Sequence, residues 1–181
     1  FDATRNKAAT TGNEDIIELI LTDHIPLKAL IETLKDDDLD RAAKAQPFEE
    51  FAYLLTCHAK AEEETMYVAM KNVKNLIVPS FEGDTEHGIA DQLVHEINAT
   101  PDDNEWLAKV KVLAESVEHH IEEEEEEMLK KVEKHIPEAQ RMNLGEEYTR
   151  LISEYRFLFH MEEPKIVKFK KTKLPPVTTL Q

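Results

Sequence analysis

His58-Ala-Lys-Ala-Glu62 and His120-Ile-Glu-Glu-Glu124 are the two stretches that decide how this chain is read. A histidine and a glutamate four residues apart project from one face of an α-helix, one turn apart, so two such helices can aim four polar groups at a common point. Lone histidines at His24 and His87 extend the set to positions 24, 58, 87 and 120, separated by 34, 29 and 33 residues. Each interval fits one helix and a short turn. Successive helices of an up-down bundle would then each present a group at a similar depth, which is how bundles build sites in their cores.

Glutamate is common enough here to make such pairs by accident. With 27 glutamates in 181 residues, about one of the eight histidines should have glutamate at i+4, and His58, His119 and His120 all do. The run Glu122 to Glu127 supplies two of the three matches, and such a run usually marks a solvated helix face. Periodicity separates the pairs. His120 and Glu124 continue the apolar row Val110, Leu113, Val117, Met128 and Val132, whereas His119 aligns with Glu115, Glu122 and Glu126 and is expected at the surface. An imidazole and a carboxylate turned into an apolar core carry a heavy desolvation cost, which a bound cation relieves for both at once. His95, His135 and His160 read as surface residues.

The remaining helices follow from the same period. A first helix over about 14–35 has an apolar stripe of Ile17, Ile20, Leu21, His24, Leu27, Ile31 and Leu34, with a kink or restart expected at Pro26. A second begins near Pro47 and runs to about Asn72, with Phe48, Phe51, Leu55, His58, Glu62, Met66 and Ala69 inward. Residues 73–84, with Pro79, Ser80 and Gly83, read as a loop. A third helix over 85–98 puts His87, Ala90, Asp91, Val94 and Ile97 on one face. Thr-Pro-Asp-Asp at 100–103 opens the fourth helix. A fifth helix, over about 137–160, carries Leu144, Tyr148, Leu151, Ile152, Tyr155, Leu158 and Phe159 and is expected to pack across the bundle. The expected fold class is therefore all-α, an up-down four-helix bundle with an additional C-terminal helix and tail. Its divisions are an N-terminal arm over 1–13, a bundle domain over 14–160 and a basic tail over 161–181.

Composition agrees with one helical domain, at 41% hydrophobic residues and only four glycines. A net charge of −16 argues against nucleic acid and against an anionic membrane surface, both of which call for a basic footprint. No apolar run approaches the roughly 20 residues that span a bilayer. A single cysteine, Cys57, rules out an internal disulfide and suits a reducing, cytoplasmic setting. The sequence starts at Phe1 rather than Met, which leaves its upstream boundary open. The tail, with Lys165, Lys168, Lys170, Lys171 and Lys173, reads first as an arm neutralising the acidic body and second as a docking segment for a protein partner.

Mixed imidazole and carboxylate ligands without thiolate suit iron or manganese, then zinc, and two bridging carboxylates suit a pair of ions. No histidine has glutamate three residues before it, so the Glu-x-x-His signature of ferritin-type bundles is absent, as is His-Glu-x-x-His.

Over roughly 14–135 the chain resembles the hemerythrin-like family, or HHE cation-binding domains. The resemblance is carried by Asp23-His24, His58-Ala-Lys-Ala-Glu62-Glu-Glu, Glu86-His87 and His119-His120-Ile-Glu-Glu-Glu124. It implies a four-helix bundle enclosing two iron ions with an oxo or hydroxo bridge. His24, His58, His87 and His120 would be terminal ligands, and Glu62 and Glu124 would bridge. Oxygen-carrying members have a second histidine one turn after the first in the third helix, where this chain has Asp91. That residue would either coordinate in the histidine's place or leave the position to water. The resulting expectation is a non-haem di-iron protein that binds a small oxidant: dioxygen, peroxide or nitric oxide. Leu55, Leu113 and Val117 would limit water access, and Tyr67 would pack at its helix end. The alternative is an iron- or oxygen-sensing interaction module without turnover.

Overall fold

The computed structural model describes residues 14–161, with side chains through residue 159. The arm over 1–13, the basic tail with its lysines and the side chain of His160 lie outside the described residues. Four long helices form the bundle: α1 (Ile16–Lys35), α2 (Arg41–Glu64), α4 (Ile77–Ala99) and α5 (Asp103–Glu123). A short α3 (Met66–Met70) follows α2. From α5 the chain continues through a π-helical turn (Glu124–Met128) into α6 (Leu129–His135), and α7 (Glu138–Met161) closes the fold. Among the described residues there is no strand, and no helix is long and apolar enough to cross a membrane.

Aspartates set three of the helix starts. Asp15 accepts from the Ile17 amide at 3.0 Å, Asp40 from Ala43 at 2.9 Å and Asp102 from Glu105 at 2.9 Å. Each satisfies an amide that the first turn leaves without a partner. At the far end of α1, the buried Lys44 ammonium donates to the Leu34 carbonyl at 2.7 Å. α1 packs against α2 and α5, α4 against α5 and α2, and α7 lies on α1 and α2. Gly145 makes that last contact close, because a side chain there would collide with the Glu14 carbonyl at the head of α1.

The apolar core is split in two by a polar layer. One cluster holds Ile16, Ile20, Ala61, Met66, Tyr67 and Tyr148; the other holds Leu27, Leu55, Ala90, Val94, Leu113 and Val117. Along α1 the chain passes from Ile20 through His24 to Leu27, and along α2 from Leu55 through His58 to Ala61. Along α4 it passes from Leu76 through His87 to Ala90, and along α5 from Val117 through His120 to Met128. The direction reverses with every long helix, so the bundle is up-down-up-down and all four histidines fall in one layer.

Several expected boundaries shift. α2 begins at Arg41, six residues before Pro47, because Asp40 caps it and the helix tolerates the proline in its interior. It breaks at Thr65 (φ −118°, ψ −82°), where the hydroxyl donates to the Ala61 carbonyl, and the break turns Met66, Tyr67 and Met70 into the core. The expected loop over 73–84 is helical from Ile77. Pro79 falls in the first turn, where no amide has a helical partner to lose, and the Ser80 amide makes the first helical bond, to the Leu76 carbonyl. α1 runs through the exposed Pro26 without restarting. Its buried face is Ile16, Ile20, His24, Leu27, Ile31 and Leu34, with Ile17 and Leu21 at the edge.

Candidate metal centre

His24, His58, His87, His120, Glu62 and Glu124 meet in the polar layer, all buried. His24 Nε2 lies 3.3 Å from Glu124 Oε2, and His58 Nε2 lies 3.5 Å from Glu62 Oε1. Across the layer, His87 Nε2 is 3.5 Å from Glu62 Oε2 and His120 Nε2 is 3.9 Å from Glu124 Oε2. Each carboxylate therefore stands between one histidine of the α1/α2 side and one of the α4/α5 side. Two overlapping groups could each hold a metal ion: His24, His58, Glu62 and Glu124, and Glu62, His87 and His120, with ligand atoms within 4.8 Å of one another in each.

The outer nitrogen of every ring is held. His24 Nδ1 donates to Glu125 Oε1 at 2.9 Å, His87 Nδ1 to Glu63 Oε1 at 3.2 Å and His120 Nδ1 to Glu86 Oε2 at 2.5 Å. His58 Nδ1 donates to the Tyr148 oxygen at 2.9 Å, and that hydroxyl donates to Asp23 Oδ2 at 2.7 Å. Metal-bound histidines nearly always have such a partner, because it fixes the tautomer and aims the other lone pair inward.

The inner atoms are the converse. Among the described residues, His24 Nε2, His58 Nε2 and all four carboxylate oxygens of Glu62 and Glu124 are buried without a hydrogen-bond partner. His87 Nε2 and His120 Nε2 face each other at 3.1 Å. With both Nδ1 protons directed to carboxylates, these two nitrogens oppose lone pairs, an arrangement that a cation between them reconciles. The titratable groups of the layer are pushed in opposite directions, with His120 raised, despite its burial, by Glu86 and Glu124. Burial pushes His58 down to about 4, and burial together with the Glu124 charge pushes Glu62 well above the usual carboxylate range. Glu124 is held down at about 2 although burial alone would raise it, because His24, His120 and His58 surround it. The donor set fits divalent or trivalent cations.

The π turn serves this geometry. The Leu129 amide reaches back to the Glu124 carbonyl, five residues away, and the widened turn lets neighbouring side chains act on one site. Glu124 faces the interior while Glu125 bonds His24 and Lys28.

Asp91 is not brought to the layer. Its side chain is 57% exposed and lies 3.7 Å from His95 Nε2. The inward positions of α4 are His87, Ala90, Val94 and Ile97, and that register rotates residue 91 to the edge. Tyr67, expected as a packing residue at a helix end, is fully buried beside the site. It stacks on His87 with centroids 5.3 Å apart, and its hydroxyl is 3.5 Å from His87 Nε2. Sequence reasoning also missed Tyr148, Glu63, Glu86 and Glu125. For the three glutamates the only signal was their place in the acidic stretches around the histidines, and nothing signalled Tyr148. His119 is exposed, as expected, and pairs with Glu123.

A cavity of about 290 Å³ opens between α2, α4 and α5 and reaches His87 and His120. Leu55, Ala59, Ala90, Val94 and Val117 form its apolar wall.

A family model described as the hemerythrin HHE cation binding domain matches residues 15–132. No curated protein and no solved structure matches the chain significantly. The matched span ends within α6, so α7 and its Tyr148 lie beyond it.

Proposed function

This chain belongs to the hemerythrin HHE cation-binding domain family, and on that premise we propose that it is a non-haem di-iron protein that binds a small oxidant. His24 and His58 would hold one ion and His87 and His120 the other, with Glu62 and Glu124 bridging; Asp91 is left out of the set. The observation that carries this reading is the convergence of six buried, unpartnered nitrogen and oxygen atoms on one layer of the core. Thiolate plays no part, since Cys57 lies buried in the apolar cluster, and imidazole with carboxylate favours iron over softer metals. When bound, an iron pair supplies a change of oxidation state and an open coordination position. The protein fixes the ring orientations through the Nδ1 bonds and excludes bulk water with the two apolar clusters. The apolar wall of the cavity at His87 and His120 suits a small neutral molecule such as dioxygen, peroxide or nitric oxide.

The test is metal content with the visible spectrum, before and after exposure to dioxygen and to peroxide. Two irons per chain with charge-transfer bands that respond to oxidant are expected. A protein that neither contains metal nor gains stability on anaerobic iron addition would overturn the reading. Sustained peroxide consumption would then separate an enzyme from a sensing module, which would bind without turnover.

A further inference from the structure

The run Glu122–Glu127 is only partly used by the metal centre, where Glu124 faces the layer and Glu125 holds His24. A second cavity, of about 280 Å³, lies on the other flank of His120. Its wall carries Glu82 and Glu86 from α4, Glu123 at the end of α5, Glu124 and Glu127 from the π turn, and one cation, Lys131. Glu82, Glu123 and Glu127 are exposed, whereas Glu124 is fully buried with both carboxylate oxygens unpartnered. The cavity thus joins a solvent-facing set of carboxylates to an unsatisfied carboxylate in the core.

We propose that this acidic cavity is the route by which divalent cations reach the centre. The proposal rests on the metal reading above. A hydrated cation is attracted by clustered negative charge set against low-dielectric walls, which raises its local concentration and its association rate. It must also shed water on the way in, and carboxylate oxygens can replace that water where an apolar wall cannot. The cavity toward Leu55 and Val117 also carries carboxylates, but Glu63, Asp84, Glu86 and Asp91 face His87, Lys71, His120 and His95, and neither Glu62 nor Glu124 reaches its wall. The spacing within the run fits: Glu123 and Glu127 are one turn apart on the cavity wall, while Glu122 and Glu126 are exposed and form no part of it. Lys131 pairs with Glu127 at 3.0 Å, so part of the charge at the mouth is already countered, and His119 Nε2 lies 3.4 Å from Glu123.

The run itself supplies a control of equal charge. Full-length protein stripped of metal is mixed with Co²⁺ alone, and the growth of the Co²⁺ absorption is followed by stopped flow. The pair Glu123→Gln/Glu127→Gln should slow uptake by about tenfold at low ionic strength, with unchanged final stoichiometry, and the difference should shrink as salt screens the mouth. The pair Glu122→Gln/Glu126→Gln, which removes the same net charge, should match the wild type. Lys131→Gln should accelerate uptake. Equal rates for the two pairs would overturn the route while leaving the centre in place. A wild-type protein that binds no Co²⁺ at equilibrium would overturn the metal reading beneath it.

Discussion

Tyr148 on α7 accepts a hydrogen bond from His58 Nδ1 at 2.9 Å and passes one on to Asp23 Oδ2 at 2.7 Å. It makes the C-terminal helix part of the site, since His58 is the one histidine of the layer whose Nδ1 bonds a phenol rather than a carboxylate. Asp23 stays below the usual carboxylate range despite partial burial, because the Tyr148 hydroxyl donates to it and His58 Nδ1 stands 3.9 Å away.

Tyr148→Phe removes only the hydroxyl, leaving the ring in its apolar cluster and depriving His58 Nδ1 and Asp23 Oδ2 of the hydrogen bond each makes to it. The expected loss of stability is about 1–3 kcal/mol, measured by denaturant unfolding. Loss of an outer partner of a metal-binding histidine also lowers metal affinity by about 10–100-fold, measured by chelator competition. An unchanged affinity would mean that Tyr148 only packs.

Glu62→Gln should act with opposite signs in the two forms of the protein. In the metal-free bundle it replaces a buried carboxylate that makes no hydrogen bond and whose ionisation burial and the Glu124 charge disfavour, although His58 and His87 stand 3.5 Å away, so stability should hold or rise, by up to about 1–3 kcal/mol. In the metal-loaded bundle it removes the group that stands between His58 and His87. Metal stoichiometry should fall and the stabilisation by bound metal, about 2.7 kcal/mol at a hundredfold excess over Kd, should largely vanish. Thermal unfolding with and without chelator, on wild type and variant, gives all four values.

The inward row of each helix was legible in the sequence because it depends only on the 3.6-residue period. His24, His58, Glu62, His87, His120 and Glu124 could all be placed from it. What the period could not supply was anything set by a neighbouring helix. Tyr148 looked like one more apolar-face aromatic, and its partner His58 is 90 residues away. Asp91 follows His87 at the same spacing as Glu62 follows His58, but α4 packs with Ala90 and Val94 inward, which puts residue 91 at the edge, and that choice is made by the neighbouring helices. The π turn had no sequence signature within six successive glutamates. Pro79 and Gly83 looked like loop punctuation, although one sits harmlessly in a first turn and the other is a packing position.

Gly83 and Gly88 lie on the same helix and should respond in opposite directions. A Cβ at Gly83 would collide with the phenol of Tyr67, which is fully buried and stacked on His87, so it has nowhere to move. Gly83→Ala should cost about 1–3 kcal/mol and perturb the Co²⁺ spectrum through His87. A Cβ at Gly88 meets open space, so Gly88→Ala should gain about 0.5–1 kcal/mol from helix propensity and leave that spectrum unchanged. Thermal unfolding with absorption spectra of the Co²⁺-loaded variants checks both.

Ala90→Leu tests the apolar cavity as the path of the small oxidant. Ala90 is buried on the cavity wall between α2, α4 and α5, within one turn of His87. A leucine there extends into empty space, so the fold should be preserved or stabilised by about 0.5–2 kcal/mol, as cavity filling commonly does. None of the six inward side chains of the layer is touched, so metal content should match the wild type. The passage to His87 and His120 would be narrowed, and nitric oxide should bind the iron-loaded protein several times more slowly, with the largest effect on the association rate. Rapid-mixing absorbance with nitric oxide measures this directly. An association rate equal to wild type, in a variant shown to hold both metals, would mean that the ligand arrives by another path.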